Sequence, residues 1–180
     1  MFTTNDLLVV IDMQNDFIDG ALGTKEAQAI TAAVAERIRR HQGSVYYTLD
    51  THTEDYLTTQ EGHYLPVAHC QKGSDGWALQ DEVARALRMQ NARAFEKPTF
   101  GSTALMEAAR SAHAEKPWTS ITLVGVCTDI CVISNALLLK AALPNVPLYV
   151  DAALCAGVTP ESHATALAAM ETCQVAILHA

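Results

Sequence analysis

Six short runs of β-favouring apolar residues, separated by longer stretches of helical period, restrict this chain more than any other feature. The runs fall at 7–11, 44–49, 92–95, 121–124, 147–150 and 174–178, and the intervening helical stretches at 25–41, 77–89, 102–114, 129–142 and 160–171. Within the runs the Val, Ile and Leu residues are nearly continuous rather than alternating with polar ones, which suits strands covered on both faces. Strand and helix in regular alternation then predict an α/β fold: a doubly wound three-layer sandwich around a mainly parallel six-stranded sheet. A length of 180 residues suits one domain spanning 1–180. The stretch 50–76 reads as irregular, and a loop of that length inside a compact domain is more often functional than idle.

Composition narrows the partners. A net charge of −8 with no basic cluster argues against nucleic acid and anionic membrane, and no apolar run is long enough to span a bilayer. The first residues, MFTTNDLLVVIDMQ, lack a basic region ahead of their apolar run and do not resemble a secretory signal. Five cysteines without framework spacing point to a reducing compartment, so a cytoplasmic location is expected. The helical stretch 129–142, apolar over most of its surface, suggests burial on more than one side and a homo-oligomer. A small-molecule substrate is the expected partner.

Open parallel sheets bind ligands beyond the carboxyl ends of their strands. Asp12 follows the first strand, Asp50 the second, Lys97 the third, and Cys131 lies beyond the fourth. A lone Asp or Lys is most simply a cap or a surface charge, but their shared position after successive strands brings four chemical groups to one edge. In ITLVGVCTDICVI, 121–133, a strand runs through a short polar turn into Cys131 at the head of a helical segment. The free N–H groups and positive dipole end of a helix bias such a thiol towards thiolate. Cys127, Cys155 and Cys173 read as small buried hydrophobes.

The loop 50–70, DTHTEDYLTTQEGHYLPVAHC, carries a second constellation. Asp50 and His52 are two apart, so in extended chain both side chains point to one side and can reach one ion. Glu61, His63 and His69 add oxygen and nitrogen donors. Carboxylate and imidazole without thiolate suit zinc, manganese or iron.

VVIDMQNDF at 9–17, DTH at 50–52, FEKPTFGST at 95–103 and GVCTDIC at 125–131 together resemble the isochorismatase-like cysteine hydrolases, and within them the nicotinamidases. The resemblance implies a catalytic triad of Asp12, Lys97 and Cys131. It also implies a cis peptide between Val126 and Cys127 that turns the amides of Cys127 and Cys131 towards one oxyanion. It maps Asp50, His52 and His69 onto ligands of one divalent metal ion, zinc first with manganese or iron as alternatives, that carries the substrate's ring nitrogen, and it prefers Glu61 to His63 as fourth ligand. Where the nicotinamidases carry an aromatic shortly before the last histidine, this chain has LPVAH with Leu65. Phe17 and Phe100 are candidates to sandwich a flat ring.

The groups suggest a reaction. Cys131 passes its proton to Asp12, attacks an amide carbonyl, and forms a thioester that water hydrolyses, with Asp12 as acid and base in both halves. A metal-independent relative acting on a carbamoyl, ureido or vinyl-ether compound is the alternative, and a catalytically inactive oligomeric binding protein is a third. A dinucleotide-binding module would want a Gly-rich turn after the first strand, where this chain has Gly20 alone and too late. A redox pair of Cys127 and Cys131 lacks the C-x-x-C form and leaves Asp12 and Lys97 unexplained.

Overall fold

The computed structural model describes residues 5–180. The run compared above with a secretory signal starts in residues 1–4, which lie outside the described residues. Six strands form one sheet: β1 (Asp6–Ile11), β2 (Ser44–Asp50), β3 (Arg93–Lys97), β4 (Ser120–Val126), β5 (Leu148–Ala156) and β6 (Ala176–Leu178). Their order is β3-β2-β1-β4-β5-β6, and every pairing is parallel, where the sequence predicted a mainly parallel sheet. The chain winds outward from β1 to β3, returns to lay β4 on the other side of β1, and winds outward again. The point of reversal lies between β1 and β4, where crevices form in folds of this topology.

Alternate residues of each strand feed two apolar layers. Leu7, Val9, Ile11, Ile121 and Leu123 pack on one face with Leu105 and Ala109 of α5 (Thr103–Glu115), Ala136 and Leu139 of α6 (Ile133–Ala142), and Met170 of α7 (Pro160–Thr172). Leu8, Val10, Val45 and Val124 pack on the other with Val34 and Ile38 of α2 (Lys25–Arg40) and Val83 and Leu87 of α4 (Asp81–Met89). Burial of a side chain of this size contributes about 1.5–3 kcal/mol, so these two layers hold the strand ends in place. At the reversal, Gly125 has φ +116, and a Cβ there would lie 2.2 Å from the Ile11 carbonyl oxygen. Glycine at that place lets β4 approach the end of β1 closely.

The elements depart from expectation in four places. β5 runs on to Ala156 through a break in register between the Leu123–Val150 and Gly125–Cys155 pairs; buried Asp151 interrupts the apolar run and hides the continuation. α4 starts at Asp81 rather than Trp77, capped by the Gln80 side chain, which accepts from the Glu82 and Val83 N–H groups, while Leu79 bridges to Gln14. The stretch 50–76 carries a 3-10 turn at Tyr56–Thr58 and a short helix, α3 (Gln60–Tyr64), whose first turn the Thr59 hydroxyl caps. A further short helix, α1 (Asn15–Ile18), follows β1. α6 buries Asn135, Ala136 and Leu139 and leaves Leu137 exposed. Among the described residues no helix is long and apolar enough to cross a membrane.

Candidate active site and metal cluster

Where β1 ends the chain turns at once, and Asp12 takes the left-handed region at φ 47, a conformation that non-glycine residues enter only when their surroundings hold them there. Its N–H donates to Thr48 Oγ1 at 3.2 Å, and the same hydroxyl donates to Asp12 Oδ1 at 2.7 Å. Asp12 Oδ2 lies 2.8 Å from Lys97 Nζ. Lys97, the last residue of β3, is in register with Asp50 at the end of β2, and its ammonium donates to Asp50 Oδ1 at 2.9 Å and towards Cys131 Sγ at 3.5 Å. One ammonium thus touches two carboxylates and a thiol, with Asp12 at 0%, Lys97 at 1% and Cys131 at 5% exposure.

Burial without partners would cost each of these charges several kcal/mol, so the surroundings decide who keeps a proton. Burial works against the Lys97 ammonium, but Asp12, Cys131 and Asp50 overcome it and hold its pKa above the ordinary lysine value. Burial pushes Asp12 up, with Lys97 opposing and the like charge of Asp50 adding to the rise. Asp50 goes the other way: burial would raise it, yet the His52 and His69 rings and Lys97 pull it below the usual carboxylate range. The pair is therefore divided into a carboxylate ready to accept a proton and one held ionised.

Cys131 lies inside a wide π-type turn, Thr128–Val132, that precedes α6. The bond between Val126 and Cys127 is cis. The Cys127 carbonyl accepts both the Ile130 N–H at 3.1 Å and the Val132 N–H at 3.0 Å. Asn135, fully buried, ties the turn to the loop after β3: its Nδ2 donates to the carbonyls of Cys131 (2.8 Å) and Phe100 (3.1 Å), and its Oδ1 accepts the Ser102 N–H (2.9 Å). One expectation is corrected. Burial, then the charge of Asp12, pushes the Cys131 thiol well above its ordinary value, with Lys97 only opposing. A helix terminus contributes about 0.3–1 kcal/mol at an exposed site, whereas full burial can move a pKa by about 3–5 units, so burial wins. Cys127 behaves alike, pushed up to about 12 by burial and then by Asp129.

Asp50 joins this cluster to the second one. Its Oδ2 lies 2.8 Å from His52 Nε2 and 3.5 Å from His69 Nε2, and donor atoms of the three residues all fall within 4.8 Å of one another. Glu61 Oε1 is 3.7 Å from His52 Nε2 and 4.0 Å from His69 Nε2. His69 Nδ1 faces the Val67 carbonyl at 2.8 Å; a carbonyl only accepts, so Nδ1 carries the proton and neutral His69 points the Nε2 lone pair at the cluster. His52 Nε2 is buried and, despite its nearness to Asp50, has no hydrogen-bond partner. An orphaned ring nitrogen converging with a second imidazole and two carboxylates fits a divalent ion. Without an ion, burial works against His69 charge but Asp50 outweighs it and raises its pKa, while Glu61 is raised by burial and by Asp50.

Of the other sequence candidates, Phe17 on α1 meets the His69 ring edge-on, centroids 5.6 Å apart. Leu65, just past α3, is partly exposed and its carbonyl accepts the Tyr56 hydroxyl at 3.0 Å. Phe100 is 42% exposed. His63 is exposed and stands apart from the ligand group. Sequence reasoning passed over Gln14, Thr48, Tyr56 and Asn135. Gln14 brackets Asp50, accepting its N–H at 2.7 Å and donating to its carbonyl at 2.9 Å. Tyr56 is buried against both His52 and His69, at 4.6 and 4.9 Å between centroids. A glutamine inside IDMQ was an available signal; Thr48, an ordinary strand residue, and Tyr56 offered none.

The same architecture recurs in solved structures. The pyrazinamidase/nicotinamidase of Streptococcus mutans superposes with a TM-score of 0.82 at 24% identity, covering 96% of this chain and 99% of that one. The Pyrococcus horikoshii pyrazinamidase in complex with zinc gives 0.77 at 23%, with 97% and 98% covered. The yeast nicotinamidase gives 0.81 at 16%, with 97% and 100% covered. At these identities the likeness carries the fold. Comparison with curated proteins finds no match. The isochorismatase domain model matches residues 6–180, nearly the whole chain, and on that match the protein belongs to the isochorismatase family.

Proposed function

We propose that this chain is a cysteine-dependent amidohydrolase of nicotinamidase type, converting nicotinamide and water to nicotinate and ammonia through a thioester. The observation that carries the reading is the contact of Lys97 Nζ with Asp12 Oδ2, Asp50 Oδ1 and Cys131 Sγ. The names of the nicotinamidase and pyrazinamidase structures that share the fold support the substrate class.

In this reading substrate entry triggers transfer of the Cys131 proton to Asp12, whose raised pKa makes it a competent acceptor. The thiolate attacks the carbonyl carbon while Lys97 offsets the negative charge that moves between thiolate and substrate. The backbone amides of Cys127 and Cys131 stabilise the oxyanion, a contribution typically worth about 3–4 kcal/mol. Asp12 returns the proton to the departing ammonia, then takes one from the water that opens the thioester. Phe17, Leu65 and Phe100 are assigned to the walls of the substrate site. Asp50, His52, Glu61 and His69 would hold one divalent ion, zinc in the first instance and manganese or iron as alternatives. When bound it supplies a Lewis-acidic anchor for the ring nitrogen. The same proposal includes a homo-oligomer acting in the cytoplasm on a small amide, without nucleic acid or membrane as partner.

Ammonia release from a panel of small amides, with and without a chelator, tests the reading together with elemental analysis. Close to one divalent metal per chain and chelator-sensitive nicotinamide hydrolysis are expected. Protein that holds no metal, takes none up and ignores nicotinamide would point instead to a metal-independent relative acting on a carbamoyl, ureido or vinyl-ether compound.

A further inference from the structure

The turn that carries Cys131 is fastened on its far side to the start of α7. Thr128, fully buried, brings its Oγ1 within 2.8 Å of His163 Nδ1. One residue on, Asp129 Oδ1 accepts the Val158 N–H at 3.1 Å. The fit is close: a Cβ on Gly157 would stand 2.9 Å from both the Cβ and the N of His163. His163 also lines a cavity of about 490 Å³ with Leu167, Glu171, Ile177 and His179, and it makes no contact with Asp12, Lys97 or Cys131 among the hydrogen bonds and ion pairs of the described residues.

We propose that His163 is a positioning residue: as acceptor of the Thr128 hydroxyl proton, it holds the turn from Cys127 to Val132 so that the Cys131 thiol and neighbouring amides keep their orientation. The inference rests on Cys131 being the nucleophile. A neutral ring with its proton on Nε2 is required, and burial holds the His163 pKa below its ordinary value against the pull of Asp129. Asp129 on the turn is the charged group that acts on the ring, while Glu171 and His179 share only the cavity lining with it. Asp129 alone bears on its titration appreciably. A hydroxyl with its bond unmade could rotate, and the turn would sample orientations in which the thiol is off line, a loss in kcat rather than in substrate binding.

The test is a mutant cycle of His163→Leu, Thr128→Val and the double variant, with His163→Asn, whose Oδ1 can accept in place of Nδ1, as the conservative control. Two readouts are taken: kcat and KM for nicotinamide, and the rate of Cys131 alkylation by iodoacetamide, which does not depend on knowing the substrate. Expected is a fall of about tenfold in kcat and in alkylation rate for each single variant, with KM unchanged, no further loss in the double variant, and His163→Asn within about twofold of the parent. Additive losses, an alkylation rate that stays at the parent value, or His163→Asn as impaired as His163→Leu would overturn the proposal. Failure of Cys131→Ala to abolish turnover would instead overturn the nucleophile assignment, so the two are separable.

Discussion

The triad cluster and the loop cluster share Asp50 but are built on different principles. Asp12, Lys97 and Cys131 hang from the ends of β1, β3 and β4, held by two apolar layers; Asp12 Oδ1 is bonded by the Thr48 hydroxyl, and Asp12 Oδ2, without a hydrogen bond of good geometry, is ion-paired to the Lys97 ammonium at 2.8 Å. His52, Glu61 and His69 hang from a loop, and that cluster keeps a buried ring nitrogen without a hydrogen-bond partner. The first sets two carboxylates and a thiol against one ammonium, while the second brings two imidazoles and two carboxylates together with no cation of its own, among the described residues, beyond the shared Lys97. The difference teaches that reactivity and ligand binding are separable here, so variants on one side should leave the other side's readout standing.

Removing the nucleophile should have the largest effect. Cys131→Ala is expected to lower amide hydrolysis by about 10⁴-fold or more while metal content and folding stay as in the parent. Turnover near the parent value in that variant would end the comparison, because the strand-end cluster would then not be the reactive one.

Next in size is Asp12→Asn, with an expected loss of about 10²–10⁴-fold in turnover as the proton acceptor disappears. The same substitution removes a charge that raises the Cys131 pKa. Its alkylation by iodoacetamide should therefore begin at lower pH than in the parent, even though catalysis has collapsed. Loss of alkylation together with turnover would count against Asp12 as the acceptor and for a purely structural role.

On the loop side, His52→Ala should lose the metal and, with it, about a hundredfold or more of nicotinamide turnover. Alkylation of Cys131 should persist, since Lys97 and Asp12 are untouched. If alkylation fell as far as turnover, the two clusters would be one unit and the separation drawn above would fail.

How much of this could be read beforehand follows from the same contrast. Strand-borne residues were legible, because an apolar run that ends in Asp12, Asp50 or Lys97 announces both the sheet and its edge. The parallel doubly wound architecture followed from the same runs. Less legible was whatever depends on who stands beside whom: Thr48 reads as an ordinary strand residue, and its bond to Asp12 exists only because β2 lies beside β1. Tyr56 has no local pattern that would announce its packing on two histidines. The sign of the Cys131 shift was missed for a related reason. A helix terminus is visible in sequence, whereas the extent of burial that overrides it is a property of the assembled fold. β5 was cut short because Asp151 looked like an end and is in fact buried within the strand.

The smallest expected effect concerns acid stability and separates two kinds of histidine. His69 has a carboxylate partner, and its pKa is raised, so its contribution to stability is fully present below its unfolded value of about 6.5 and is lost only as pH rises through the folded value. His41 is the opposite case: burial first, then the charge of Arg37, lowers its pKa. Its contribution is present above about pH 6.5 and is lost as pH falls, because the unfolded chain takes up a proton that the fold resists. Acid should therefore weaken the protein through His41 before it weakens the loop cluster. In urea titrations of chelated protein from pH 7.5 to 5.5, His41→Gln should flatten the decline in unfolding free energy by no more than about 1 kcal/mol. An unchanged slope would assign the acid sensitivity to another group, and a steeper one would reverse the sign of the argument.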